Sequence, residues 1–296
     1  MEPAEGPPGA APVPPWHRDR LVTILLPEHH CRLLLVDASG TACEAEFRHL
    51  AGRVGAEVLG RATVAAVLLG ADLKDDERLS IQARCEGPIE GYLVEVDSKL
   101  NFRGYTNKKT IRGLDRSARP FVEGVGKVGR LQVIRSTGSG IFYQGVTSFA
   151  QGDVATDLER SLRESQQIPS RLLIDHGYRM QLTSAIGILL QVLPGADAEA
   201  FPYLAAEIAA RAERARPWTK DLETLAKLVL PESVPSKLLD SRPIRFSCRC
   251  SRERAISVLK LMGPPEGQAT YPELNRVTCA FCNDTYEVLA SELLAG

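Results

Sequence analysis

The apolar positions near the start of the chain predict two strands followed by a helix. Residues 21–26 and 31–36 are short apolar runs rich in strand-forming side chains, and a polar turn segment separates them. Within residues 41–73 the alanine and leucine content rises, and apolar side chains recur at helical spacing at Val54, Val58, Ala62, Ala65 and Leu69. Residues 55–70 have so many further apolar neighbours that we expect a central core helix, buried on most sides.

Several strand-like segments follow and favour an antiparallel meander. Turn-forming residues separate some of these segments, which cover residues 78–85, 89–96, 101–106, 131–134 and 141–147. Asp153 is placed to cap a helix over residues 153–166, and residues 171–174 and 186–193 predict further strands. The pattern therefore predicts an α+β fold whose N-terminal domain is a mixed α/β core with an antiparallel-rich sheet.

Two short amphipathic helices are predicted after this core. Residues 199–214 and 220–230 each place apolar side chains on one helical face, and the segment is interrupted at Pro217, Pro231 and Pro235. Such helices bury too little apolar surface to be stable alone, so they must dock on a neighbour. They are either ordinary helices that cover the core or a detachable linker whose docking depends on its neighbours.

Four cysteines near the C-terminus form the main chemical motif. Cys248 and Cys250 make a C-x-C pair, and after 28 intervening residues Cys279 and Cys282 make a C-x-x-C pair. Two such pairs can build a tetrahedral thiolate zinc site, because each pair places two sulfurs on one tight turn. A C-x-C pair could also oxidise to a small, strained disulfide, and strained disulfides tend to be labile. The motif predicts Zn²⁺ either as a structural brace alone or as a brace that is also a redox sensor.

The other cysteines and the basic residues are less specific signals. Cys31, Cys43 and Cys85 lie in core-like segments and are interpreted as buried, inert thiols. Basic residues gather around the first cysteine pair, at Arg242, Arg245, Arg249, Arg252, Arg254 and Lys260. Three interpretations are open for these basic residues: an ordinary solvated face, a positive field that lowers the pKa of nearby thiols, or contacts with phosphates. The histidines show no metal-type spacing, so we expect no histidine ligand.

Composition limits the partners and the compartment. The 296-residue chain is 44% apolar with a formal net charge of -1, so its overall charge gives no reason to expect a nucleic acid partner. No stretch approaches the roughly 18 consecutive apolar residues of a membrane span, and the N-terminus lacks a signal-peptide core. We expect a cytoplasmic protein whose cysteines are thiols or metal ligands.

These observations divide the chain into four predicted segments. Residues 1–19 are a Pro-rich leader that we expect to be disordered, and residues 20–196 are the core domain. Residues 197–240 are the helical linker, and residues 241–296 are a small zinc-binding domain.

The cysteine motif and its surroundings resemble the zinc centre of the redox-regulated chaperones of the heat shock protein 33 family. The resemblance rests on residues 246–254 (FSCRCSRER) and 277–286 (VTCAFCNDTY). Upstream segments also look like that family's core, in the same order, at residues 143–146 (YQGV), 165–172 (SQQIPSRL) and 187–194 (GILLQVLP). The leader is outside the pattern, and Asn283 stands where the family has Gly, although Asn also tolerates a left-handed backbone.

The resemblance implies a bacterial, cytoplasmic holdase that works without ATP and without enzymatic activity. In reduced members of that family four thiolates bind one zinc ion, and here they would be Cys248, Cys250, Cys279 and Cys282. Oxidation would join Cys248 to Cys250 and Cys279 to Cys282. Zinc would leave, the linker would lose its order, and the exposed surface would hold unfolding client proteins, often as a homodimer.

Two other function classes remain open on the residues alone. A constitutive zinc-ribbon protein would bind nucleic acid or protein through the basic cluster and never release its metal. A thiol oxidoreductase would use Cys279 and Cys282, but these lack the strand-to-helix context of a thioredoxin-like pair. Zinc release on oxidation, followed by client holding, separates the chaperone from both.

Overall fold

Two sheets form the body of the protein. The computed structural model describes residues 19–197, 199–266 and 269–294. The first sheet has five antiparallel strands in the order β10 (Lys237–Pro243), β1 (Arg20–Leu26), β2 (Cys31–Asp37), β9 (Leu182–Val192) and β8 (Ser170–Tyr178). The second has six in the order β11 (Arg245–Phe246), β5 (Asn101–Thr106), β4 (Gly91–Asp97), β3 (Arg78–Cys85), β6 (Gly129–Thr137) and β7 (Gly140–Ser148). Only β11 runs parallel to its neighbour. The predicted α+β class with antiparallel-rich sheets is confirmed.

A buried helix lies between the two sheets. The segment predicted to be helical over residues 41–73 forms two helices, α1 (Ser39–His49), which begins two residues earlier, and α2 (Arg53–Leu69), because the chain turns at Leu50, whose φ is 48°. Helix α2 contacts β2, β8 and β9 on one side and β3, β4 and β5 on the other, as its apolar periodicity predicts. Gly187 of β9 permits close approach, because a Cβ there would lie 2.2 Å from Cγ1 of Val64.

Helix α2 also accounts for the one helical stretch of the described residues that could, by length and hydropathy, span a membrane. Arg53–Asp72 has the length and the mean hydropathy, 1.5, of a membrane-spanning segment. However, 89% of that window is buried inside the protein. Its apolar surface therefore serves the core, which two further short helices help to close, α3 (Pro120–Val125) and α4 (Val154–Ser161). Asp153 caps α4 as predicted, accepting a hydrogen bond from the Thr156 amide at 3.0 Å.

The two amphipathic helices cover the outer face of the first sheet. They are α5 (Phe201–Arg214) and α6 (Leu222–Val229). They form a second core with the strands beneath, whose buried members include Val22, Ile24, Leu33, Leu35, Ile188, Leu190, Leu204, Ile208, Leu225 and Val229. Asp175 of β8 anchors the connection between them, because it accepts hydrogen bonds from the Arg216 guanidinium and from the Trp218 amide.

The described residues after β11 form a small module. Its elements are α7 (Arg252–Met262), the hairpin strands β12 (Leu274–Thr278) and β13 (Thr285–Leu289), and α8 (Ala290–Leu294). The predicted linker and zinc-binding segments meet between residues 240 and 241, inside β10. The predicted leader lies outside the described residues except for Asp19, whose buried carboxylate accepts hydrogen bonds from the amides of Gly40 and Thr41.

Candidate metal centre

The first cysteine pair lies where the chain leaves the second sheet. The Ser247 amide donates to the Phe102 carbonyl at 2.8 Å, which continues the pairing of β11 with β5. Cys248 and Cys250 follow in a segment without regular secondary structure. Ser251 then caps α7, accepting from the Arg254 amide at 3.3 Å. The pair is thus held between a sheet edge and a helix N-terminus.

The second pair occupies the turn of the β12–β13 hairpin. The Cys279 amide donates to the Asp284 carbonyl at 2.9 Å, and the Asn283 amide donates to the Cys279 carbonyl at 2.8 Å. Asn283 has a φ of 63°, the left-handed conformation that its side chain tolerates. This tight turn points the sulfurs of Cys279 and Cys282 toward the first pair.

The four sulfurs form one cluster. All lie within 4.8 Å of one another, with 3.7 Å between the Sγ atoms of Cys248 and Cys279 and 3.3 Å between those of Cys250 and Cys282. A tetrahedral zinc ion with Zn–S bonds of about 2.3 Å separates its sulfurs by roughly 3.8 Å. The donor set and its spacing therefore fit Zn²⁺, and within the described residues no histidine belongs to the cluster.

The electrostatics of the cluster also favour a cation. Burial acts to raise the pKa of Cys248, but hydrogen bonds from the backbone and thiol of Cys250, and from the thiols of Cys282 and Cys279, lower it to about 7. Burial raises the pKa of both Cys279 and Cys282. Four close sulfurs cannot all ionise without compensation, and a divalent cation at their centre supplies it.

Two side chains outside the cysteine motif contact the sulfurs. The Tyr286 hydroxyl donates to Sγ of Cys250 at 3.0 Å, and the Arg103 guanidinium lies 4.0 Å from Sγ of Cys248. Tyr286 follows the second pair in β13, whereas Arg103 comes from β5, far away in sequence. Neither residue belongs to the cysteine spacing, and only Tyr286 lies near it in sequence, at the end of the segment 277–286.

Phe281, between the two cysteines of the second pair, docks the module on the core. Its ring packs edge-on against Tyr105 with centroids 5.3 Å apart, and the Arg103 guanidinium lies 3.9 Å from its centroid. Nε2 of His49 lies 3.1 Å from the Phe281 carbonyl and 2.9 Å from the Gly104 carbonyl. The metal turn is therefore seated against β5 and the end of α1.

The arginines of the basic cluster have protein partners. Arg249 pairs with Glu95 at 2.9 Å, and Arg252 pairs with Glu292 at 2.8 Å. Arg242 donates to the Ala71 carbonyl and pairs with Asp240. Arg245 donates to the Asn101 side chain, and Arg254 donates to the Arg249 carbonyl. Their main role in this structure is to hold the module together and to attach it to the sheets.

The remaining three cysteines lie apart from the cluster. Cys31 is buried in β2, as predicted, while Cys43 and Cys85 are only half-buried. Burial raises the pKa of Cys31 and of Cys43 to about 11 and also raises that of Cys85. All three thiols are therefore protonated at neutral pH, which makes them poor nucleophiles toward oxidants.

Comparison with known proteins identifies the family. The model of the Hsp33 protein family matches residues 19–289. The chain belongs to the Hsp33 family. A 33 kDa chaperonin of Geobacillus sp. strain WCH70 is 30% identical over 93% of this chain and 96% of its own length, and one from Synechococcus sp. strain JA-2-3B'a(2-13) is 30% identical over 98% and 92%. The crystal structure of the 33 kDa chaperonin from Thermotoga maritima shares the Hsp33 fold, with a TM-score of 0.79, 22% identity and coverage of 94% of this chain and 97% of that one.

Proposed function

We propose that this Hsp33-family chaperone is a holdase that works without ATP and that cysteine oxidation activates. In the reduced form Cys248, Cys250, Cys279 and Cys282 would hold one Zn²⁺, and the client would be unfolding protein. The observation that carries the proposal is the cluster of four sulfurs within 4.8 Å, in a module seated on the core. Small zinc modules owe their fold to the metal, so oxidation of the ligands would unfold this one.

We further propose that the disulfides join Cys248 to Cys250 and Cys279 to Cys282, as the family resemblance implies. The sulfur–sulfur distances of 3.7 Å and 3.3 Å instead join a cysteine of the first pair to one of the second. That arrangement is what a shared metal ion imposes. Once the metal leaves, the cost of closing a loop favours partners that are near in sequence, which supports pairing within each motif.

The linker supplies the surface that such a switch would expose. Helices α5 and α6 cover strand residues that are almost fully buried, such as Leu33, Leu35 and Ile188. Their release would uncover a contiguous apolar sheet face, and large apolar patches bind other apolar surfaces. This supports unfolding proteins as clients, and it supports a homodimer of the oxidised form, because two such faces can cover each other.

Parallel measurement of zinc and of client aggregation tests the proposal. Zinc release, followed with a chromogenic chelator, should accompany suppressed light scattering by a chemically unfolded test protein when hypochlorite is added. Each of the four Cys→Ser variants should bind zinc more weakly, whereas Cys31→Ser, the matched control, should not. Zinc that stays bound while holding occurs would favour a constitutive zinc ribbon. Zinc release without holding would contradict the holdase.

The cytoplasm is the compartment that suits this proposal. A reducing environment keeps the cluster as thiolates, so that the metal stays bound until oxidant appears. Sedimentation of the oxidised protein with and without reductant would show whether the active form is the proposed homodimer. Peptide mapping of the same sample would assign the two disulfides.

A further inference from the structure

Strand β10 is the least anchored strand of the first sheet. Its residues are exposed apart from Arg242, which is half-buried, and none of them belongs to either hydrophobic core. The side chains of Leu238 and Leu239 are 58% and 51% exposed. Backbone pairing with β1 is therefore the main attachment of β10, and strands held in this way open at low cost.

Its partner β1 is deeply built into the protein. Leu21 and Leu26 are fully buried, and β1 pairs with β2 along its whole length without a register shift. The pairing with β10 is less regular, because it has a bulge between Thr23 and Ile24 that leaves Leu239 without a partner. If β10 leaves, β1 keeps its place and presents a free strand edge.

The position of β10 ties it to the proposed switch. It connects the end of α6 to β11, and β11 is only two residues long and leads directly to Cys248. Unfolding of the metal module, which consists of α7, the β12–β13 hairpin and α8, would pull on Cys248 and so act on β11 first and on β10 next. Strand β10 also contains the last residues of the predicted linker, so release of β10 and undocking of the linker helices are coupled through the chain.

We propose that β10 is displaced when the metal module unfolds and that the freed edge of β1 binds an extended segment of the client by strand addition. The inference rests on the proposed holdase function and assigns it a second contact site besides the apolar sheet face. Strand addition gives main-chain hydrogen bonds that are independent of sequence, which suits a chaperone with many clients.

The occupant follows from what β10 itself does on this edge. In the structure an extended segment of seven residues lies there, with Leu25 opposite Lys237 at one end and Arg20 opposite Pro243 at the other. Beside it is a groove of about 570 Å³, lined on the linker side by Leu230 and Val234 and by Leu238 of β10. Val22 and Ile24 of β1 form its sheet side and would stay in place after the linker and β10 have left. The edge therefore suits an extended, unfolded polypeptide with an apolar side chain near the position of Leu238.

Crosslinking on the two sheets provides the first test. A photocrosslinking amino acid would replace Thr23, which faces Asp240 across the β1–β10 pair, and as a matched control Phe142, which is exposed on the edge strand β7 of the second sheet. Oxidised protein with a chemically unfolded test protein should give client adducts from position 23 in several-fold excess over position 142. Equal yields, or adducts between two copies of this chain in place of client adducts, would overturn the proposal.

Strand stability provides the second test. Asp240 is exposed and opposite Thr23, so Asp240→Thr should strengthen β10 and Asp240→Gly should weaken it. Client crosslinking from position 23 should fall in the first variant and rise in the second. Without client, hydrogen exchange in β1 should accelerate by about tenfold or more on oxidation. If oxidised protein holds clients although β1 stays protected in a sample without client, strand addition is refuted and the holdase is left intact; zinc release without any holding would refute the holdase itself.

Discussion

Replacing Ile208 with glutamate should open the linker without oxidation. Ile208 lies in the middle of α5 and is fully buried against the outer face of the first sheet. A glutamate at this position would have to bury its carboxylate among aliphatic side chains or leave with the helix. Because α5 is short and depends on docking, we expect the helix to leave.

The magnitude follows from the burial of this side chain. Removing a buried isoleucine forfeits about 1.5–3 kcal/mol of transfer free energy. Burying an unpaired polar group, even if it neutralises, adds roughly 2 kcal/mol or more. The docked state should therefore weaken by about 4 kcal/mol, which shifts the ratio of docked to undocked linker by about a thousandfold. The globular core should survive, because the cluster between the two sheets does not include Ile208.

The assay compares reduced Ile208→Glu with reduced Ala210→Glu. Ala210 lies on the exposed face of the same helix, so the control adds the same charge without burying it. The Ile208 variant should show fast hydrogen exchange over residues 201–230, should keep its zinc and should suppress aggregation of an unfolded test protein. The control should behave as wild type. If the Ile208 variant is open by hydrogen exchange yet holds no client, linker undocking is not the switch.

Three further predictions concern the cysteines outside the cluster, Tyr286 and His49. Replacing Cys31, Cys43 and Cys85 together with serine should leave oxidative activation intact in folded protein, because burial raises the pKa of each thiol; loss of activation would place the sensor among them. Tyr286→Phe removes the hydrogen bond to Sγ of Cys250 and should speed zinc release by peroxide, measured with a chelator, whereas an unchanged rate would show that this hydrogen bond does not protect the sulfur. Burial lowers the pKa of His49, so the undocked state binds the proton more readily, and docking of the module should weaken as the pH falls below about 6.5. Hydrogen exchange of the 279–284 turn would follow this change, and His49→Gln should remove the dependence on pH.

The core was predictable because its patterns are strong. Residues 55–70 are apolar on nearly every side, and only a helix between two sheets can bury all of them, which is where α2 lies. The linker helices were also predictable from apolar periodicity, although their signal is weaker because each has only one apolar face. Both faces pack on the outer face of the first sheet. The break at Leu50 was not predicted, because a leucine with a left-handed backbone has no local sequence signal.

Strands β10 and β11, which follow the linker helices, could not be predicted from the hydrophobic pattern of the sequence. Residues 237–243 have no alternation of buried and exposed positions, because β10 buries almost nothing and is held by backbone pairing. At the candidate metal centre, the four cysteines could be predicted as ligands from their spacing in the sequence. Arg103 and His49 did not, since their contacts with Cys248 and Phe281 depend on tertiary structure that joins β5, α1 and the hairpin turn.

In the proposed switch, loss of zinc would reach the linker along the chain, through the two strands that the sequence pattern did not predict. Helices α5 and α6 pack on the first sheet, whereas the metal turn is seated on β5 and α1, on the side of the second sheet. Under the proposed switch, loss of zinc would unfold the 279–282 turn and break the Phe281 contact with it. Two residues of β11 then carry the strain between Cys248 and the core. Because a two-residue parallel pairing is too short to resist alone, hydrogen-exchange protection should disappear first in β11, then in β10 and last in α6, and α6 opening before β11 would contradict this order.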